Sequence, residues 1–139
     1  MVDWEENTLT FESKQLHYYF SRSGTGRTII FLHGIMDNGM CYDRVAEQFA
    51  ENYDLYLPDA RGHGQSSEMP DKGDFSLLIE DIKDISEQNN LSNIIVMGHS
   101  MGGAEAAQFA AQEPQFVKAV ILEDPAFFSG FSKKLLHAL

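Results

Sequence analysis

Only one cysteine, Cys41, occurs among 139 residues, so no intrachain disulfide can form and a reducing compartment suits the chain. Positive charge is also scarce: 10 lysines and arginines stand against 21 acidic residues, a formal net charge of −11. That balance repels phosphate backbones and anionic membrane surfaces, and argues against nucleic acid or membrane as a partner. No apolar run approaches the roughly 20 residues that a membrane span requires. The opening MVDWEENT is acidic and carries no apolar stretch, so it does not read as a secretory signal and a cytoplasmic location is expected. In that setting the acceptor-like triplet Asn90-Leu91-Ser92 reads as chance. The composition, 43% hydrophobic and 22% charged, is that of a globular protein, and the length suits one domain rather than two. Neither an internal repeat nor a low-complexity linker is present.

What the chain does have is periodicity. Two alternating stretches, TLTFES and QLHYYFSR, predict a hairpin around Ser13 and Lys14. RTIIFLHG predicts a strand buried on both faces. Residues 41–51 set Tyr42, Val45 and Phe49 at helical spacing, and DLYLPDARG predicts a fourth strand that ends at Pro58. Residues 75–89 place Leu78, Ile82 and Ile85 on one face of an amphipathic helix. IIVMGHS is a fifth strand, MGGAEAAQFAAQEP an alanine-rich helix stopped by Pro114, and KAVILEDPA a sixth strand closed by Pro125. After the hairpin this order predicts an α/β fold, a mostly parallel sheet with flanking helices on both faces. Such sheets bind ligands beyond the carboxyl ends of their strands. Three loops lie there: HGIMDNG, DARGHGQS and GHSMGG.

GHSMGG (98–103) falls between a predicted strand and a predicted helix, the setting that a nucleophile elbow requires. Gly98 and Gly102 are the small neighbours such a strained turn needs, and Gly103 lets helix and strand approach closely. On this reading Ser100 is the nucleophile; the alternative is an ordinary strand-to-helix turn that contains a serine. Attack by a serine hydroxyl creates an oxyanion that needs N–H donors. The Met101 N–H, at the start of a helix, is one. The Ile35 N–H is the second, presented where Gly34 lets the backbone bend, with His33 holding that loop by local hydrogen bonds. Cys41, a lone cysteine after a loop, is the weaker nucleophile.

HGIMDNG, PDARGHGQS and GHSMGG, in this order and spacing, resemble the α/β-hydrolase superfamily, especially its cofactor-free esterase, lipase, C–C hydrolase and haloperoxidase-like branch. The resemblance extends from the hairpin to the sixth strand. It implies a serine hydrolase that acts on an ester-like small molecule through an acyl-enzyme, with no cofactor and no metal. Ser100 is then the nucleophile, Ile35 and Met101 form the oxyanion hole, and residues 59–66 are a bracing loop with Asp59, Arg61 and His63 as scaffold. His33, Gly34, Gly98, His99, Gly102 and Gly103 support the site.

The superfamily's triad runs nucleophile, acid, histidine along the chain, with the acid after a seventh strand and the histidine after an eighth. This sequence stops soon after its sixth. His99 is turned away from the hydroxyl beside it, His17 lies in the hairpin, His33 and His63 belong to the bracing loops, and His137 is in the tail. Asp124, in LEDPA, is the candidate acid, against the alternative of a strand-terminating turn that lines the pocket. The expectation is therefore the N-terminal part of a single domain over residues 1–139, truncated after about the sixth strand, with a tail from about 127 that resembles the start of a cap. Such a chain would have a nucleophile but no base and be weakly active or inactive. The rival reading is a hydrolase-like ligand-binding or interaction module. Residues 119–122 would form an unguarded apolar edge, through which self-association is expected.

Overall fold

The alternation at the start of the chain pairs β1 (Glu5–Phe11) with β2 (Leu16–Gly24) as an antiparallel hairpin, with Leu9 opposite Tyr18 and Thr10 opposite His17. The computed structural model describes residues 2–12 and 16–127. The turn expected at Ser13 and Lys14, and the tail beyond Phe127 with His137, lie outside the described residues. The apolar runs that follow become β3 (Arg27–Leu32), β4 (Tyr53–Pro58), β5 (Ile94–His99) and β6 (Val117–Glu123). They assemble in the order β1-β2-β4-β3-β5-β6; β4, β3, β5 and β6 run parallel, and β2 joins β4 antiparallel.

Helices cover both faces, as continuous apolar strands demand. On one face α2 (Ser76–Gln88) and α3 (Met101–Gln112) bury Ile79, Ile82, Ile85, Ala106 and Phe109 against Ile30, Leu32, Ile94 and Val96. On the other, Tyr42 and Ala46 pack on Ile29, Phe31, Leu55 and Leu57. The chain leaves β3 toward β4 across this second face and returns from β4 to β5 across the first. β3 and β5 are neighbours whose outgoing segments part to opposite faces, and a crevice opens at their carboxyl ends.

The segment at 41–51 departs from expectation. It is no continuous helix: a 3₁₀ turn (Gly39–Tyr42), one turn of α-helix, α1 (Asp43–Ala46), and a second 3₁₀ turn (Glu47–Phe49) follow one another. Its buried face is Gly39, Tyr42 and Ala46, while Val45 and Phe49 are exposed. Backbone contact sets this phase. A β-carbon on Gly39 would stand 2.3 Å from the Leu57 carbonyl oxygen, so Gly39 lies flat on β4 and the side chains after it are rotated accordingly.

Among the described strands β6 is an edge, paired only with β5. Val120, Ile121 and Leu122 are exposed along it. No described helix is long and apolar enough to cross a membrane.

Candidate active site at the carboxyl ends of the strands

Ser100 follows β5 directly and precedes the first residue of α3. Its backbone lies at φ 52°, ψ −115°, a region that costs a non-glycine residue about 1–3 kcal/mol and persists only when neighbours over-determine it. They do so here. The Ser100 N–H donates to the Glu123 carbonyl at 3.1 Å, and the Ser100 carbonyl accepts from Ala126 N–H at 2.9 Å and Ala104 N–H at 3.2 Å. The glycines around it leave no room for a side chain. A β-carbon at Gly98 would lie 2.0 Å from the Gly102 carbonyl oxygen, one at Gly102 2.0 Å from the Leu32 carbonyl oxygen, and one at Gly103 2.9 Å from Pro125. The turn is thus pressed between the ends of β3 and β6.

The Met101, Gly102 and Gly103 N–H groups open α3, where N–H groups have no intrahelical acceptor and the helix dipole favours negative charge. Facing them is the loop after β3. The position of a Gly34 β-carbon is 3.5 Å from Ser100 Cβ and 3.1 Å from His99 Nδ1. His33, fully buried, accepts from the Ala60 N–H at Nε2 (2.9 Å), which leaves the proton on Nδ1 to donate to the Gly34 carbonyl at 2.7 Å. Burial pushes the His33 pKa down, with the Gly34 bond opposing, so the neutral ring that both bonds require is the favoured form. A trans peptide points its N–H opposite to its carbonyl. With the Gly34 carbonyl held on His33, the Ile35 N–H is turned to the other side of the loop.

Residues 59–66 form a brace. Asp59 accepts from Gly39 N–H through Oδ1 (2.8 Å) and from Gln65 N–H through Oδ2 (2.9 Å). Gly64, at φ 49°, lies so close to this carboxylate that a β-carbon would stand 2.0 Å from Oδ2. Arg61 forms a buried bidentate pair with Asp81 of α2, at 2.6 and 2.9 Å. Ser66 donates to the Asp59 carbonyl and accepts the Tyr19 N–H, and Ser67 accepts the His17 N–H. Asp59, Arg61 and Ser66 thereby tie three elements to one loop. The sequence signals only the turn; that both Asp59 oxygens are occupied appears in the structure alone.

The structure brings Ser100, Met101, Gly34 and His99 together at one crevice. The remaining described histidines are engaged elsewhere. His17 meets Thr10 at 3.4 Å, and His63 stands edge-on to His33 with Nδ1 3.2 Å from the Arg61 carbonyl. Asp124 is exposed at φ 42° in the turn after β6. Cys41 is an exposed residue whose partly covered thiol is pushed up by desolvation and then by Asp37, Asp43 and Glu123, so the thiolate a cysteine nucleophile needs is disfavoured. Among the described residues no group of three or more histidine, cysteine or acidic side chains could hold a metal ion.

The family profile described as alpha/beta hydrolase fold matches residues 27–137. The chain belongs to the alpha/beta hydrolase family. An uncharacterised protein of Mycobacterium tuberculosis is 33% identical over 118 residues, covering 81% of this hydrolase chain and 34% of its own length. A serine hydrolase-like protein of Danio rerio is 32% identical over 101 residues, covering 71% and 31%. Among solved structures, an esterase of a marine microorganism superposes with a TM-score of 0.71 at 32% identity, covering 76% of this chain and 40% of that one. The chain spans about a third of the length of these curated relatives. Its sheet of mostly parallel strands and flanking helices is the corresponding part of the hydrolase fold.

Proposed function

We propose that this chain carries the nucleophile and oxyanion-hole portion of a serine hydrolase that acts on an ester-like small molecule. The observation that supports it most is the Ser100 turn, strained and enclosed by Gly98, Gly102 and Gly103 at the start of α3. In the proposed reaction Ser100 Oγ bonds to the acyl carbon, and the bond from that carbon to the leaving oxygen breaks. The alcohol departs with the serine proton. Water then cleaves the acyl-enzyme, its hydroxyl joining the acyl carbon and its proton returning to Oγ. Ile35 and Met101 N–H groups receive the oxyanion in both steps, with His33 as the residue that positions Ile35.

His17, His33 and His63 are engaged away from Ser100, and Asp124 has no histidine partner among the bonds of the described residues. His99 is at the crevice, but no hydrogen bond joins it or any other described histidine to Ser100 Oγ, so on this reading the base comes from outside the described residues and this chain alone is weakly active: an oxyanion hole and binding by themselves leave about 10³–10⁴-fold over water when a triad member is lost. A fluorophosphonate probe tests the assignment. Slow labelling that disappears in Ser100→Ala is expected. Labelling identical in both proteins would remove Ser100 from the chemistry and leave a ligand-binding module on a hydrolase scaffold.

A further inference from the structure

A tyrosine hydroxyl lies beneath the point where the two halves of the Ser100 site meet. The ladder between β3 and β5 ends with Leu32 opposite Gly98. Beyond that pair the strands part, β3 into the loop of His33, Gly34 and Ile35, and β5 into the serine turn. The Leu32 carbonyl oxygen is engaged from both faces of the sheet. On the α3 face Gly102 rests on it, so closely that a β-carbon would stand 2.0 Å away. On the opposite face, among Ile29, Phe31, Leu55 and Leu57, the Tyr42 hydroxyl donates to it at 3.2 Å.

Tyr42 is itself held firmly. It is buried, and its ring centre lies 5.2 Å from that of Phe31. The 3₁₀ turn that carries it is fixed at its start: Asn38 Oδ1 accepts the Met40 N–H at 3.0 Å, and Asp59 of the brace accepts the Gly39 N–H at 2.8 Å. Burial, and then Cys41 and Glu123, raise the phenol's pKa, with a bond from the His99 N–H opposing. The hydroxyl therefore stays protonated and keeps its donor at neutral pH. Packing does not call for this oxygen, since phenylalanine would fill the same space, and a buried hydroxyl costs free energy unless its bond is made.

We propose that Tyr42 is a positioning residue of the Ser100 site: by fixing the Leu32 carbonyl against Gly102, its hydroxyl sets the separation between the Ile35 and Met101 N–H groups. The proposal rests on the hydrolase reading above, in which these two groups receive the oxyanion. Ile35 follows Leu32 by three residues and Met101 directly precedes Gly102, so the contact sits between the two donors on both chains. The link runs from Asp59 through Gly39 to Tyr42, and from Tyr42 through Leu32 to the first turn of α3. Oxyanion donors work only when aimed at the place where charge develops, and a displacement of about 1 Å can cost on the order of a hundredfold in rate.

Tyr42→Phe keeps the ring and removes the oxygen. Fluorophosphonate labelling of the full chain is followed at several probe concentrations, so that the maximal rate, kinact, and the half-saturating concentration, KI, separate. Ser100→Ala is the blank, and sucrose is present throughout to keep every variant folded. Ile82→Val, a truncation of the core under α2, controls for lost stability. Tyr42→Phe is expected to lower kinact by at least about fivefold while KI stays within about twofold of the parent, and Ile82→Val to move neither. A kinact within about twofold of the parent, a loss shared by Ile82→Val, or a change confined to KI overturns the proposal and leaves Ser100 chemistry intact. Absence of any Ser100-dependent labelling in the parent overturns the hydrolase reading instead. The backbone amide resonances of Ile35 and Met101 then decide: both shifted in Tyr42→Phe and unmoved in Ile82→Val supports the positioning role, and resonances unmoved in Tyr42→Phe refute it.

Discussion

Replacing Glu105 by glutamine should change how stability depends on pH more than it changes stability itself. Glu105 sits on α3 only 2% exposed, and its Oε2 has no hydrogen-bond partner. The charge that acts on it is Asp81 of α2, which is itself paired with Arg61 of the bracing loop. Tyr18 of β2 adds a buried phenol close enough for Glu105 to raise its pKa. The strands beneath α3 present Ile30, Leu32, Ile94 and Val96. Lys118 of β6 is exposed, and Lys83 pairs with Glu113 at the far end of α3.

Burial first, and the Asp81 charge second, push the Glu105 pKa well above its ordinary 4.5. The folded state therefore keeps a proton that the unfolded chain releases. The resulting stabilisation is complete below pH 4.5 and is lost as pH rises toward the folded pKa. Each pH unit in that window costs one proton's worth, about 1.4 kcal/mol or tenfold in the folding constant. Glutamine keeps the shape and cannot ionise. Its own unmet hydrogen bonds, roughly 1–3 kcal/mol, add a constant offset. Urea unfolding followed by far-ultraviolet circular dichroism at half-unit steps from pH 5 upward should show Glu105→Gln gaining on the parent by about 1.4 kcal/mol per pH unit at first. Curves that run parallel between pH 5 and 7 would mean that Glu105 meets water or a cation in the fold, and the reasoning would fail.

Gly102→Ala should lose at least the roughly 1–3 kcal/mol typical of overpacking, because its β-carbon would meet the Leu32 carbonyl oxygen rather than a movable side chain. A melting temperature within a degree of the parent would contradict that contact. The β6 edge, unpaired among the described strands, should drive self-association, read by sedimentation velocity across a concentration series, and Ile121→Lys should suppress it by placing a charge on the edge. A parent chain that sediments as a monomer at all concentrations would dismiss this.

Strands were the most legible part of the sequence because β3 and β4 are buried along nearly their whole length and β5 is buried on one face and half-buried on the other, so they read as largely apolar runs. The serine turn was legible for a related reason: glycine at 98, 102 and 103 reports backbone packed on backbone, which no other residue permits. The segment after His33 was not legible. Its apolar residues suggest a face through Val45 and Phe49, whereas the contact that sets the phase is Gly39 on the Leu57 carbonyl, a residue without a side chain to register in any periodicity. Glu105 escaped for the opposite reason. An acidic residue in an alanine-rich helix reads as solvent-facing, and only the packing of α3 on α2 and the sheet places it inside.

The bonds that hold Ser100 also assign it a lifetime. Its N–H and carbonyl are both fastened to the segment that ends β6, through Glu123 and Ala126, and among the described strands β6 has a neighbour on one side only. A strand with a single ladder opens at lower free energy than one enclosed by two. The shape of the serine turn therefore endures only as long as the outermost strand stays zipped, although β5 itself lies inside the sheet. Amide exchange at Ser100 should follow that of β6 rather than that of Val96 and Met97, and any strand laid along the open side of β6 would slow both together. Occupation of a surface away from the crevice would in this way set the fraction of time for which the crevice is assembled.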